Sequence, residues 1–191
     1  QRTRLLATPL LASFAWQIHQ STGDERFLAE SFPRLLAFFW NWFSPAHDRD
    51  RDGLPEWDHC IQTGFEDNPL FDVWHSGSLG VDISTVADPG LHAMLAREAG
   101  CLILMAETLG RASDADLIKQ QTALLDAAVA AAWSESNALY QYRDLATHLC
   151  LPGSIIAEDK NGKTFKPKKK LKQPVRLLVE VWSENPNGKR P

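Results

Sequence analysis

Apolar residues recur at helical spacing on both sides of a long stretch that lacks any such period, and this alternation constrains the fold most. Phe27, Leu28, Phe32, Leu35, Leu36, Phe39 and Phe43 follow the 3.6-residue repeat, with Asp24 placed as an N-cap for a helix to Trp42. Pro33 sits inside that run and is expected to kink or divide it. An earlier helix is expected over 9–20, with Leu10, Leu11, Phe14 and Ile18 on one face. A third should run from Pro89, suited to a first turn, to Leu109, with Gly110 closing it. Ser113 or Asp114 opens a fourth that reaches Trp133, and its alanines allow close packing against a neighbour. The result is a mainly α chain of two antiparallel helix pairs. Residues 44–87 form the loop between them, and structureless loops of that length are uncommon and usually functional.

Past residue 138 the pattern changes to short β runs (LYQYR, GSIIAE, KTFK, VRLLVEV), with an Asn161-Gly162 turn signal. The chain therefore divides into a helical part, 1–150, and a small β-rich module, 151–191. Charge divides the same way: −10 over the first part and +6 over the second, from a total of −4. The basic run KPKKKLK has no interleaved aromatics and leads straight into an apolar strand. It reads as charged gatekeeping around a hairpin, and no nucleic-acid partner is expected. No membrane partner is expected either, since no apolar run is long enough to span a bilayer. Cys60, Cys101 and Cys150 have no metal-like spacing, and their odd number fits a reducing, cytoplasmic compartment. The missing initiator Met and the abrupt end at NPNGKRP read as part of something longer.

The chemistry concentrates between Asp48 and Asn68, in DRDRDGLPEWDHCIQTGFEDN. So many carboxylates repel one another unless a cation, a proton or solvent intervenes. Asp48, Asp50 and Asp52, followed by Gly53, begin a hard-cation loop in which alternate side chains aim oxygens at one centre. His59 holds the twelfth position, where an EF-hand needs a bidentate Glu. The loop is therefore not an EF-hand, and a carboxylate from elsewhere must close a Ca²⁺ site. Glu98 on the third helix is the candidate, with the Leu54 carbonyl nearby. A solvated acidic turn is the plain alternative. Glu66 and Asp67, between Phe65 and Pro69, fit a general acid held partly protonated by burial or by a neighbouring charge, but an acid pair before Asn-Pro is also ordinary loop chemistry, which is the commoner case on these residues alone. Trp57 and Trp74 flank this pair as core residues or as stacking walls for a sugar, and Gln62 joins them as a substrate-binding candidate. Trp40 and Trp42 lie two apart, so only one should face the loop.

Taken together, PLLASFAWQIHQSTGDERFLAESFPRLLAFFWNWF, HDRDRDGLPEWDH, QTGFEDNPLF and LAREAGCLILMAETLGR resemble glycoside hydrolase family 63 and its mannosylglycerate-hydrolase-like relatives. The resemblance is colinear over about residues 5–145. It implies part of an (α/α)6 toroid that hydrolyses an α-glycosidic bond, in an α-glucoside or a mannosylglycerate-like substrate, with inversion. By position within TGFEDNP it implies Glu66 as general acid, where the family usually has Asp, with Asp67 beside it. Leu70-Phe71 stand where the family often has Arg and an aromatic. The resemblance also implies Ca²⁺ on Asp48, Asp50 and Asp52, and a general base beyond these residues. The competing expectation is a non-catalytic helical scaffold or sugar-binding module with an acidic, Ca²⁺-stabilised loop.

Overall fold

The computed structural model describes residues 5–65, 68, 70, 71 and 81–147. The β runs expected over 151–191 and the boundary at residue 150 lie outside them. Four helices carry the fold: α1 (Leu11–Thr22), α2 (Glu25–Trp42), α3 (Pro89–Thr108) and α4 (Ala112–Ala132). Four two-residue strands accompany them: β1 (Val86–Ala87), β2 (Trp133–Ser134), β3 (Leu139–Tyr140) and β4 (Arg143–Asp144). They form two antiparallel pairs, β1 with β4 and β2 with β3.

Asp24 caps α2 as expected, its carboxylate accepting from the Phe27 amide at 2.9 Å. Pro33 does not divide that helix, which runs unbroken from Glu25 to Trp42. Proline removes one backbone donor, but Leu28, Phe32, Phe39 and Trp42 bury one continuous stripe across it. Packing of an apolar face supplies most helix stability and here outweighs the local defect. Pro89 opens α3, and Gly110, at φ +68°, turns the chain out of it. Neither Ser113 nor Asp114 caps α4. Arg111 holds the cap position without a side-chain bond, and Asp114 pairs with its guanidinium at 2.6 Å.

α3 is the hub, packing on α1, α2 and α4. α4 folds back on it across a three-residue turn, burying Ala115, Ile118, Leu125 and Ala132, and Lys119 meets Glu107 at 2.9 Å. The core stacks Leu28, Phe32, Trp42, Leu91, Leu95, Leu102, Met105, Ile118 and Leu125, all fully buried. Each such side chain contributes about 1.5–3 kcal/mol.

α1 keeps Leu11, Phe14 and Ile18 on one face as expected, and that face points away from the core. The small residues Ala12, Ser13 and Ala15 face the core. The physical reason is Glu98 of α3. Its Oε2 accepts the Ala12 amide at 2.6 Å and its Oε1 accepts the Ser13 amide at 2.9 Å, with the Ser13 hydroxyl at 2.5 Å. Only a small-residue face lets α1 approach α3 closely enough to make these bonds.

Candidate functional site

The 47–56 loop is stitched at its base. The Ser44 carbonyl accepts the His47 and Asp48 amides at 2.9 Å each, and the Glu56 amide returns to the His47 carbonyl at 2.7 Å. Inside it, Asp48 Oδ2 accepts the Gly53 amide at 3.2 Å and Asp52 Oδ1 the Leu54 amide at 2.8 Å. Gly53 has φ +85°, so the bend needs a residue without a Cβ penalty, and Arg51 also takes a left-handed φ of 62°. Gln121 of α4 donates to the Gly53 carbonyl at 2.9 Å and fixes the loop tip to the helical core.

Asp48, Asp50 and Asp52 do converge, and Glu56 converges with them: one oxygen from each lies within 4.8 Å of the others. Glu98 is not the fourth member, because both its oxygens are engaged at the start of α1. Glu56 is the member that the sequence reading misses. Counting from Asp48 it stands at the ninth position, a side-chain ligand position in EF-hand loops, often bridged by water. That spacing is the signal that could have found it.

Glu56 is fully buried. One of its oxygens accepts the Arg49 amide at 3.1 Å and the Arg49 guanidinium at 3.4 Å. Its other oxygen, Oε1, has no partner among the described residues, nor has Oδ1 of the buried Asp48. Burial pushes the Glu56 carboxyl up from 4.5 to about 7; Asp50 and Asp48 add to the rise, and Arg49 and its amide oppose it.

Below this cluster lies a fully bonded support. Asp58 takes His47 Nδ1 at 2.8 Å and the Arg49 guanidinium. Gln62 is buried, with Oε1 accepting the Asp58 and His59 amides at 2.8 and 2.9 Å and Nε2 donating to the Leu6 carbonyl at 3.1 Å. Its Nε2 also donates to Asp58 Oδ2 at 3.3 Å, so the buried amide is spent on the turn itself and is not presented to a substrate. Trp57 is corrected likewise. It is 1% exposed, stands edge-on to Trp42 at 5.5 Å, and donates its indole N–H to Asp88 at 2.7 Å. Asp88 also caps α3 through the Gly90 amide at 2.7 Å, so Trp57 couples the loop to that helix and is no sugar platform. Of Trp40 and Trp42, Trp42 is the one that meets the loop, packing on His47 and Trp57.

The loop continues into a short 3-10 turn, Cys60–Gln62, which His59 caps through the Ile61 amide. The Thr63 hydroxyl donates to the Cys60 carbonyl and accepts the Phe65 amide, both at 2.8 Å, and Gly64 takes φ +72°. The backbone is therefore pinned up to Phe65. Glu66, Asp67 and Trp74 lie outside the described residues.

The chain matches the family model of the mannosylglycerate hydrolase MGH1-like glycoside hydrolase domain over residues 1–164. No curated protein matches it in sequence. Among solved structures it is similar to the GH63 mannosylglycerate hydrolase from Thermus thermophilus in complex with glucose, at 21% identity and a TM-score of 0.64, covering 78% of this chain and 44% of that one. The same hydrolase in complex with Tris and D-glycerate gives 20% identity and a TM-score of 0.60, with coverage of 74% and 46%. An uncharacterized conserved protein of that organism gives 21% and 0.62, with coverage of 76% and 45%. At these identities the likeness concerns the fold, that of helical GH63 enzymes, and the chain spans under half the length of each structure. Among the described residues no helix is long and apolar enough to cross a membrane. With its family model matched from residue 1 to residue 164, the chain belongs to the MGH1-like glycoside hydrolases.

Proposed function

We propose that the protein of which these residues are part is an inverting hydrolase of an α-glycosidic bond, with Glu66 as its general acid. The observation that carries this is the family match over 1–164, which takes in the whole TGFEDNP motif. The four helices would form part of an (α/α)6 ring completed by further helix pairs. Neighbouring structures hold glucose and D-glycerate, which supports an α-glucoside or a mannosylglycerate-like substrate.

In this reading the protonated Glu66 carboxyl gives its proton to the glycosidic oxygen as the bond from that oxygen to the anomeric carbon breaks. A water attacks the anomeric carbon from the opposite face and loses a proton to a second carboxylate outside these residues. Inversion requires the two carboxyls to stand roughly 6.5–9.5 Å apart, leaving room for the water. The pinned Thr63–Phe65 turn fixes the backbone from which Glu66 departs, and Asp67 tunes its charge. The donors at Asp48, Asp50 and Asp52 fit a hard divalent cation, because the oxygens are all carboxylate and a buried one at Asp48 has no partner among the described residues. The Leu54 carbonyl is proposed with them. A bound Ca²⁺ would hold the loop rigid and take no part in bond cleavage.

The test uses the intact protein and a series of glycosides differing in leaving group. Glu66→Gln should lower kcat by about 10²-fold or more for poor leaving groups and much less for glycosyl fluorides or activated aryl glycosides. Asp67→Asn should be milder throughout. If Asp67→Asn alone shows the leaving-group dependence, the two roles must be exchanged.

A further inference from the structure

The segment that carries Glu66 and Asp67 runs between two described residues whose backbones are bonded to each other. The Asn68 amide donates to the Phe65 carbonyl at 3.1 Å, and the Phe65 amide is itself held by the Thr63 hydroxyl. Beyond the segment, Asn68 organises the chain. Its carbonyl accepts the Phe71 amide and its Oδ1 accepts the Leu70 amide, both at 3.0 Å. The Val81 amide then closes on the Leu70 carbonyl at 2.9 Å. All of these bonds join residues of one loop. They set its shape, but not its place against the helices.

Tyr142 supplies the place. Its hydroxyl is hydrogen-bonded to the Asn68 side chain, and its ring stands edge-on to the buried Phe71, with centroids 5.2 Å apart and planes at 86°. Edge-to-face packing fixes where the two rings sit, and the hydroxyl bond fixes a second point on the same loop. The backbone beneath Tyr142 is held on both sides. The Gln141 amide donates to the Ala132 carbonyl at the end of α4 at 2.9 Å, and Arg143 and Asp144 pair with Ala87 and Val86. Ala87 leads directly into Asp88, which caps α3 and receives the Trp57 indole. Burial and the nearby Asp88 both push the Tyr142 phenol up, against the Asn68 bond. The hydroxyl therefore keeps its proton and serves as a hydrogen-bonding group.

We infer that Tyr142 is a positioning residue for glycosidic-bond cleavage, locking the acid-bearing loop through Asn68 and Phe71 to the adjoining ends of α3 and α4. The inference rests on the reading of Glu66 as general acid. Such an acid must stand within hydrogen-bond reach of the leaving oxygen, and a displacement of about 1 Å can cost 10²-fold in rate. Tyr142 acts on the reaction only through the loop that it holds.

Tyr142→Phe tests this in the intact protein, because it keeps the ring on Phe71 and removes only the hydroxyl. In amide hydrogen exchange, peptides covering 65–71 should exchange about fivefold faster than in wild type, with peptides from α3 and α4 unchanged. The kinetic probes are phenyl and dinitrophenyl α-glucosides or α-mannosides, with the matching glycosyl fluorides. For the phenyl glycoside kcat should fall about tenfold, and for the fluoride less than about twofold, with KM within about twofold throughout. A merely structural role would lower all these rates together. Adding Tyr142→Phe to Glu66→Gln should cause no further loss, since both act on one proton transfer. If Tyr142→Phe fails to fold, Asn68→Ala removes the other half of the same bond and carries the same expectations. Unchanged exchange over 65–71 overturns the clamp. Faster exchange with an equal loss, or none, for every leaving group overturns the positioning role, while the result at Glu66→Gln stands. Absence of leaving-group dependence at Glu66→Gln sinks the acid assignment instead, and the exchange result then still decides the clamp.

Discussion

Glu98 and Glu56 are both buried glutamates in the same helical frame, yet their surroundings differ in kind. Glu98 lies against the start of α1, where it accepts two amides and a hydroxyl. Its charge also meets the positive end of that helix, where the first N–H groups have no intrahelical acceptor. Glu56 has Arg49 on one oxygen, no described partner on the other, and Asp48 and Asp50 for neighbours. The first carboxylate is completed by the chain and acts as a staple between α1 and α3. The second is left incomplete, and what it lacks is positive charge. Burial alone therefore does not show that an acid is satisfied by the fold; the count of donors does.

The comparison breaks most visibly at Glu98. Glu98→Ala would leave the Ala12 and Ser13 amides buried without acceptors and open the α1–α3 seam. A loss of about 3–5 kcal/mol is expected. Urea unfolding of the intact protein measures it, and added Ca²⁺ should restore none of it. A loss below about 1 kcal/mol would mean that α1 is held by other contacts and that the staple is incidental.

The opposite sign is expected at Glu56. With chelator present at pH 8, Glu56→Gln removes a buried charge that faces two aspartates and is countered by Arg49 on one oxygen. The variant should be more stable than wild type by about 1–2 kcal/mol. With Ca²⁺ in excess the order should reverse, because the wild type alone gains the ion's binding energy. Urea midpoints in chelator and in Ca²⁺ give both numbers. A Glu56→Gln variant less stable than wild type in chelator would show that the protein already satisfies this carboxylate, as it does Glu98.

The helices are legible in the sequence, and the misreadings share a cause. Helical periodicity locates four helices within two or three residues, because one-dimensional spacing directly sets which side chains share a face. It leaves α1 open, since periodicity says that Leu11, Phe14 and Ile18 share a face but not which face meets the core. Glu98 decides that, far along the chain, through bonds to Ala12 and Ser13. The alternating aspartates also carry through, their convergence being a local property of a short turn. Their fourth partner is expected on a distant helix but lies four residues beyond Asp52. Trp57 and Gln62 look like sugar contacts in the sequence because composition cannot tell a platform from a strut. Their hydrogen bonds to Asp88 and to the 58–59 amides make them struts.

The smallest expected effect concerns His92, which is buried on α3 beside the loop and bonds the Pro55 carbonyl through Nε2 at 3.2 Å. That acceptor fixes the neutral ring with its proton on Nε2. Burial lowers the His92 pKa from 6.5; the Pro55 carbonyl and Asp88 oppose the shift, and Arg143 adds to it. The folded protein thus refuses a proton that the unfolded chain accepts below pH ~6.5. Stability from this residue is fully present above that pH and is lost as pH falls toward the lowered folded value. Unfolding is best measured between pH 7.5 and 5 in wild type and variant alike, so that contributions common to both cancel and the difference in slope belongs to His92. His92→Gln keeps a donor for Pro55 but has no proton to take up, so its stability should fall less steeply over the same range. Equal slopes in the two proteins would mean that His92 is reached by solvent, and that the loop is packed less tightly on α3 than the Trp57–Asp88 bond implies.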